Sequence, residues 1–220
     1  MAWGQTFQNL GFESTNVPDL PLYQYGGFVA VEDALPGWSA YLGNELQSEV
    51  FHNYPSFGST VISIFGPETL VSIEGSYAVH VYAGFARDGL TPLSASIRQT
   101  GVVPIDARSL LFKLHFDIPG FNPIGVALGG ESISVIPLSS SNPRYTLYGA
   151  DVTSFAGRNL ELSFTPVHGA IVSWDSIEFS SVPIPEPATW ALFLLGCLVF
   201  GPALARRLRS GFRTESDRGL

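Results

Sequence analysis

The sequence predicts an all-β fold: a β-sandwich of about ten antiparallel strands, followed by one C-terminal transmembrane helix. Apolar and polar residues alternate along many short segments, and no segment before residue 188 keeps a helical period. The 23 Gly and 16 Pro among 220 residues supply the turns that such a fold needs. An uncharged stretch at 188–205 predicts the helix.

Period-two alternation is clearest at 110–117 and 160–165, where every second residue is Leu or Phe. The pair Gly129-Gly130 predicts a two-residue hairpin turn. Residues 152–156 are expected to form one helical turn. Segment 19–60, rich in Tyr, Gly, Pro and Phe, is expected to be the longest loop region and a candidate binding face. Further predicted strands are 61–65, 77–82, 94–100, 124–128, 132–136, 144–148 and 171–179.

The composition excludes two classes of protein. The net charge of −8 and the pI of about 4.8 exclude nucleic acid as a partner, because its binders need a basic surface. Residues 1–183 hold 6 basic and 16 acidic residues, a net charge of −10. They contain no cysteine, since the one in the chain is Cys197, and a disulfide scaffold is therefore excluded.

The proline-rich run Val182-Pro183-Ile184-Pro185-Glu186-Pro187 suits neither a helix nor a central strand and marks a domain boundary. The uncharged stretch behind it, at 1.5 Å per residue, is long enough to cross a bilayer core. Basic flanks stay on the cytoplasmic side, so Arg206, Arg207 and Arg209 place the outer domain outside the cytoplasm. The predicted regions are an outer domain (1–183), a linker (184–187), a single transmembrane helix (188–205) and a basic cytoplasmic tail (206–220).

The tail has three features in a fixed order: Pro185-Glu186-Pro187, a span that Trp190 opens, and the arginine stop. In this order, residues 182–209 resemble a PEP-CTERM sorting signal. The resemblance implies export from a Gram-negative bacterium that makes exopolysaccharide, and processing by an exosortase, a membrane transpeptidase. It makes Pro185, Glu186 and Pro187 the recognition residues of a substrate that is anchored in membrane lipid or passed to the cell surface or matrix.

The start of the chain lacks the basic region and apolar run of a secretion signal. Export nevertheless needs such a signal, so we expect the reading frame to begin upstream of Met1.

The outer domain opens with Asn9-Leu10-Gly11-Phe12-Glu13, continues with Gly37-Trp38 and closes with Asp175-Ser176-Ile177. In this order, the motifs resemble the galactose-binding-like jelly roll of carbohydrate-binding modules over residues 6–180. The resemblance implies a jelly-roll sandwich that binds carbohydrate, here extracellular polysaccharide. It also implies one structural Ca²⁺ between the first and last strands, at the matching positions Glu13 and Asp175.

The alternation of the last predicted strand draws attention to Asp175. It shares parity with Ile171, Ile177 and Phe179, which we expect to face the core. A carboxylate on that side must be hydrogen-bonded, paired or metal-bound, and its hard oxygen atoms would select Ca²⁺. The other interpretation is that Asp175 accepts backbone N–H bonds or lies at a fraying sheet edge.

The sequence predicts a non-catalytic protein. Its four histidines lack the spacing of a zinc site, and Gly-x-Ser-x-Gly is absent. Two of them, His80 and His115, are expected to face solvent. The alternatives are a glycan hydrolase or lyase on the same sandwich, with two acidic residues paired in a cleft, and a purely structural matrix component.

Sugars stack on exposed aromatic rings and are held by a few polar groups. On this basis, the candidate carbohydrate-binding residues are Trp38, Tyr41, Tyr82 and Arg98. Trp38 also fits a position in the core.

Overall fold

The computed structural model describes residues 5–21, 24–55, 58–69, 73–115 and 122–184, the side chains of 139–141 excepted. The chain divides into two units, Met1–Ile184 and Pro185–Leu220, and only the first contains described residues. None of the helices formed by these residues has the length and hydropathy of a membrane span. The predicted features of the tail lie outside the described residues and stay predictions. They are the sorting motif Pro185, Glu186 and Pro187, the transmembrane helix 188–205, and the arginines Arg206, Arg207 and Arg209.

The described residues form fourteen strands, one short α-helix and two 3₁₀ turns, the latter at Pro67–Thr69 and Thr153–Phe155. In chain order the other elements are β1 (Phe28–Ala30), α1 (Val31–Ala34), β2 (Ser39–Leu42), β3 (Glu45–Gln47), β4 (Glu49–His52), β5 (Val61–Phe65), β6 (Ala78–Tyr82), β7 (Ala95–Val102), β8 (Ser109–His115), β9 (Ile124–Leu128), β10 (Glu131–Ile133), β11 (Ile136–Asn142), β12 (Tyr145–Asp151), β13 (Asn159–Pro166) and β14 (Ile171–Ser180).

The strands make two sheets that pack face to face. The eight-stranded sheet has the order β1-β4-β5-β6-β14-β8-β12-β11, and the six-stranded sheet has the order β10-β9-β13-β7-β2-β3. Across the interface, the Phe164 ring of β13 lies 5.2 Å from that of Phe112 and 5.8 Å from that of Trp174. The predicted β-sandwich is confirmed, and its described core contains residues of both sheets.

Local sequence explains several of the turns. Gly129 and Gly130 both have positive φ, 60° and 82°, as the predicted two-residue hairpin between β9 and β10 requires. The 3₁₀ turn at Thr153–Phe155 lies within the predicted helical turn. One pairing differs from the prediction, because β4 and β5 run parallel while the other paired strands are antiparallel.

The described residues form fourteen strands, whereas about ten were predicted. Four of them, β1 to β4, lie in segment 19–60, which was expected to be a long loop region. Each of these strands is only three or four residues long. Two apolar positions at most then fall on one face, which is too few to show a period of two.

The prediction that Asp175 faces the core together with Ile171 is wrong. Trp174 points into the core, whereas Asp175 lies on the outer side of the sheet together with Ile171, which is half exposed. Ser176 has a φ of +51°, and a bulge in the pairing with β8 separates Asp175 from Glu178. The bulge resets the alternation, so Ile177 is buried as expected.

Candidate functional site

Four aromatic rings lie side by side at the β1–β4 edge of the eight-stranded sheet. The Phe28 and Phe51 rings are 4.1 Å apart, Phe51 stacks on Tyr54 at 4.5 Å, and Tyr54 meets the edge of Tyr25 at 6.3 Å. Tyr25 is 56% exposed and Phe28 52% exposed. We call these four residues the aromatic row.

Backbone pairing sets the spacing of the row. Phe28 and Phe51 are direct partners in the β1–β4 ladder, which brings their side chains to the same face. The Gly26 N–H continues the pairing by donating to the His52 carbonyl at 2.8 Å. A Cβ on Gly26 would lie 2.7 Å from that carbonyl oxygen, so only glycine lets the segment carrying Tyr25 come this close.

A cavity of about 520 Å³ adjoins the row. Phe28, Phe51 and Tyr54 belong to the row and also line the cavity. Its other lining residues differ in exposure. The strand residues Val50, Val61 and Ile62 are each at most 3% exposed, whereas the charged residues Glu49 and Arg87 are exposed at the cavity mouth. Polar and apolar residues thus both line the cavity.

The loop 84–93 forms one wall of the cavity and is fixed by backbone bonds. The Thr60 N–H donates to the Phe85 carbonyl, and the Leu93 N–H donates to the Gly84 carbonyl, both at 2.8 Å. The Thr60 hydroxyl donates to the Leu93 carbonyl at 3.0 Å and accepts the Gly84 N–H at 2.9 Å. Both roles of this hydroxyl are thus used within the protein.

Asp88 holds the tip of the same loop. Its carboxylate accepts the backbone N–H groups of Leu90 and Thr91, each at 2.9 Å, and the Thr91 hydroxyl at 2.6 Å. These bonds, the Thr91 hydroxyl first, lower the pKa of Asp88 to about 2. The loop is therefore ordered by its own sequence.

His80 supports the segment behind Tyr54. Its Nε2 lies 3.2 Å from the Pro55 carbonyl oxygen and its Nδ1 lies 3.0 Å from the Ser173 hydroxyl, while its ring stacks on Phe65 at 4.2 Å. The carbonyl can only accept, so Nε2 carries the proton and Nδ1 accepts from Ser173. Burial lowers the pKa of His80 to about 4. The expectation that His80 faces solvent is wrong, because it is buried beneath this segment.

Two of the predicted carbohydrate-binding residues are poorly placed for a ligand. Trp38 is only 4% exposed, and its ring packs against Phe12 and Phe164 while its N–H donates to the Asn9 carbonyl at 3.1 Å. The structure therefore makes Trp38 a core residue that no sugar reaches. Tyr82 lies across Gly84, where a Cβ would clash with its ring, and it does not line the cavity.

The other two, Tyr41 and Arg98, are in contact on the outer face of the six-stranded sheet. The Arg98 guanidinium lies 4.2 Å from the Tyr41 ring centroid, and it also lies 4.0 Å from a Glu161 carboxylate oxygen. The guanidinium thus covers a face of the ring that a sugar would use. Neither residue lines the cavity.

The structure places Glu13 and Asp175 in one region, with each carboxylate already bonded to the backbone. Asp175, 1% exposed, accepts the Glu74 N–H at 3.0 Å and the Ser176 N–H at 2.5 Å on separate oxygen atoms. One Glu13 oxygen accepts the N–H groups of Ser76 and Tyr77 at 2.9 and 3.0 Å. This matches the interpretation that Asp175 accepts backbone N–H bonds.

A calcium site needs six to eight oxygen ligands. The carboxylates face N–H donors, and the nearby Glu74 carboxylate is bonded to Lys113 and Ser176. Among the described residues, no group of three or more His, Cys, Asp or Glu side chains is placed to hold a metal. The calcium ion at Glu13 and Asp175 stays a prediction from the resemblance.

Burial, above all, raises the pKa of Asp175 to about 7, and the negative charges of Glu13 and Glu74 add to the rise. The hydrogen bonds from Ser176 and Glu74 act in the opposite direction. Glu74 differs, because hydrogen bonds from Lys113 and Ser176 lower its pKa. Asp175 is thus a buried carboxyl group that is partly protonated near neutral pH.

None of the four residues of the aromatic row is among the site residues predicted from the sequence. The one signal in the sequence was the abundance of Tyr and Phe in segment 19–60, which contains all four residues of the row. Spacing could not have found them, because Phe28 and Phe51 meet only through the pairing of β1 with β4.

No protein-family model and no curated protein match the chain. Three solved structures show a distant likeness. The enzymatically active domain of tailspike protein 4 from bacteriophage CBA120 has a TM-score of 0.38 and 9% identity, over 66% of this chain and 19% of that one. The xylan-binding module CBM22-1 of Paenibacillus barcinonensis Xyn10C has a TM-score of 0.34 and 10% identity, over 72% and 95%. The mannan-recognising module TmCBM27 has a TM-score of 0.32 and 9% identity, over 71% and 96%. At these scores, the likeness assigns neither a family nor a ligand to this chain.

Proposed function

We propose that the outer domain is a non-catalytic carbohydrate-binding module that stacks a glycan on the aromatic row. One observation carries the proposal: four contiguous rings at a sheet edge, two of them more than half exposed, continue into a cavity. Sugar rings have apolar faces that pack on aromatic side chains, and such sites add a few polar groups for orientation. Glu49 and Arg87 at the cavity mouth supply these groups.

The acidic residues of the site support a binding role over hydrolysis. Glycoside hydrolysis ordinarily uses two carboxyl groups on either side of the bond that is cleaved. Of the described residues that line the cavity, Glu49 is the one with a carboxylate. Glu49 could act either as the general acid or as its partner, and no second carboxyl group among these described lining residues could take the other role.

The proposal extends to the location of the protein through its sequence. The resemblance of residues 182–209 to a sorting signal implies display at the cell surface, with an exosortase and membrane lipid as partners. A surface module with a glycan site then suits a role in holding exopolysaccharide. The proposed location at the cell surface depends on the tail sequence alone.

Affinity electrophoresis tests the glycan site. The fragment 1–184 is run through gels that contain soluble xylan, mannan, glucan or the polysaccharide of the source bacterium, and retardation measures affinity. We expect retardation by at least one glycan, and a reduction of threefold to tenfold in Phe28→Ala and Tyr25→Ala, since an aromatic stack contributes about 0.5–1.5 kcal/mol.

Ile105→Ala is the matched control, because Ile105 is an exposed apolar residue that lies outside the row and the cavity. Equal affinity of Phe28→Ala and the unaltered domain for every retained glycan would contradict the site. Release of reducing sugar from any of these glycans would contradict the non-catalytic role.

A further inference from the structure

We propose that the aromatic row selects glycans whose sugars carry a free, protonated amino group, and that Glu49 is the residue that binds this ammonium group. The inference rests on the carbohydrate function proposed above and names the ligand class of the same site. Carboxylates and aromatic faces are the two kinds of side-chain surface that attract an ammonium group. The β1–β4 edge carries both of them.

Glu49 lies on the same face of β4 as the row. It precedes Phe51 by two residues, so the two side chains leave the strand on one side, about 7 Å apart along it. Phe28 of β1 is the partner of Phe51, and the next pair on this face is Ala30 with Glu49. The small Ala30 side chain leaves the carboxylate uncovered on that side, and Glu49 is exposed. A sugar that stacks on the two rings therefore has its substituents beside this carboxylate.

The carboxylate of Glu49 has no partner within the described part of the chain, where it accepts no hydrogen bond and joins no ion pair. Glu161 and Glu74 differ, because they pair with Arg98 and Lys113. An ammonium group on the ligand would give Glu49 the ion pair that the protein does not supply.

The two phenylalanine rings of the row are likewise without a cation. In residues that the structure describes, a Lys or Arg side chain lies over the rings of Tyr41, Tyr145 and Phe155. None of these described basic side chains lies over Phe28 or Phe51. A cation on the face of an exposed aromatic ring gains binding energy. A sugar with an ammonium group can therefore interact with the rings through its charge as well as its apolar face.

The surroundings of the site are acidic. The first 86 residues of the chain contain eight Asp and Glu but no Lys or Arg, and they include the whole row. Two of the acidic residues, Asp19 and Glu68, act on His52, which follows Phe51. Burial lowers the pKa of His52, and the charges of Glu68 and Asp19 act in the opposite direction. A negative potential at this edge attracts a cationic glycan and repels an anionic one.

Arg87 is the residue that could favour the opposite choice. It is exposed and lines the cavity, and its guanidinium would attract a carboxylate on the glycan. However, Arg87 lies on the loop 84–93 and not on the strand pair that carries Phe28 and Phe51. No ion pair between described residues joins it to Glu49. The pairing of β1 with β4 therefore gives Glu49, rather than Arg87, the position beside the rings.

Calorimetric titration of the full chain, in a nonionic detergent that contains no sugar, tests the proposal with four oligosaccharides of equal length. The oligomers of glucose, N-acetylglucosamine and glucosamine share a β-1,4 backbone and carry a hydroxyl, an acetamido or an ammonium group at C2. Oligogalacturonate is the anionic ligand. At about pH 5.5, amines are protonated and ordinary carboxyl groups are ionised. We expect the glucosamine oligomer to bind about threefold to thirtyfold more tightly than the glucose oligomer, with a preference that falls as salt is added.

Three variants assign this preference to residues. Glu49→Gln should reduce it about twofold to fivefold, because the amide keeps the shape of the side chain and removes its charge. Glu45→Gln is the matched control, since Glu45 is exposed, makes the same change in net charge and does not line the cavity. Phe28→Ala should weaken the binding of all three β-linked oligomers, because it removes a stacking ring.

The outcomes separate the two proposals. Equal affinity for the glucose and glucosamine oligomers, with Phe28→Ala weakening both, would overturn the selection of amino groups and leave the carbohydrate site. Tighter binding of oligogalacturonate, or no binding of the glucosamine oligomer, would overturn the selection as well. Equal effects of Glu49→Gln and Glu45→Gln would mean a general attraction to an acidic protein and would overturn the role of Glu49. Binding that Phe28→Ala leaves unchanged for every oligomer would overturn the aromatic row as a glycan site, and with it the proposed function.

Discussion

Replacing Asp175 by asparagine should change how the stability of the outer domain depends on pH. The pKa of this carboxyl is raised from 3.8 to about 7 in the folded protein, chiefly by burial. Between these two pH values, the native state keeps a proton that the unfolded state has lost. The free energy of unfolding therefore falls as pH rises through this window, and it is fully reduced above pH 7.

The size of the effect follows from the difference between the two pKa values. A difference of one between the folded and unfolded pKa corresponds to about 1.4 kcal/mol. The rise from 3.8 to about 7 therefore reduces the stability at pH 8 by on the order of 4 kcal/mol relative to pH 4. Asparagine carries no charge and removes this contribution. Its amide also places an N–H₂ group against the N–H of Glu74 or Ser176, and that loss is the same at every pH.

Urea unfolding of the fragment 1–184 at several pH values between 4 and 8 measures the effect. Buried His52 and His80 have lowered pKa values, so they destabilise the domain as pH falls below about 6.5. They therefore mask the slope that Asp175 causes. The difference between Asp175→Asn and the unaltered domain removes their contribution, and Asp106→Asn serves as an exposed control.

We expect Asp175→Asn to gain stability relative to the unaltered domain as pH rises from 4 to 8, and to gain more than the Asp106→Asn control. A difference that does not vary with pH would refute the raised pKa. A difference of the opposite sign would mean that a cation holds Asp175 ionised, and it should then disappear in the presence of a chelator.

The remaining predictions concern the backbone, calcium and the tail. Gly26→Ala should destabilise the outer domain by more than about 1 kcal/mol, because its Cβ would lie 2.7 Å from the His52 carbonyl. Gly27→Ala, where no atom lies within 4 Å, should change stability by less than about 0.5 kcal/mol, and thermal unfolding compares the two. If the predicted Ca²⁺ binds, saturating it 100-fold above its Kd should stabilise the domain by about 2.7 kcal/mol, and calorimetric scans with and without chelator decide this. Deleting 185–220 should move the protein from the membrane fraction to the soluble one, because it removes the apolar span; continued sedimentation of the truncated form with membranes would contradict this.

The strands that the sequence predicts are those in which burial leaves a repeating pattern. In β13, Leu and Phe alternate with polar residues over six positions, and in β8 the same alternation is interrupted at Leu111 alone; both strands form as expected. The glycine pair at the β9–β10 turn is equally clear, since positive φ at two successive residues selects glycine.

The candidate site depends on long-range pairing and could not be predicted in this way. The contact between Phe28 and Phe51 needs β1 to pair with β4, and each strand is too short to show a period. Asp175 shows a second feature that a strand pattern in the sequence does not predict. Its outward position comes from simple alternation before a bulge, and its burial comes from covering segments that a strand pattern does not contain.

The place of β14 in the sheet has a consequence for the order of folding. This strand is the last to be synthesised in the outer domain, yet it lies in the middle of the eight-stranded sheet, hydrogen-bonded to β6 on one side and β8 on the other. Until residues 171–180 are available, these two strands lack the neighbour that joins them. Pairings between distant parts of a chain slow folding, so we expect the eight-stranded sheet to close only after this last strand is available.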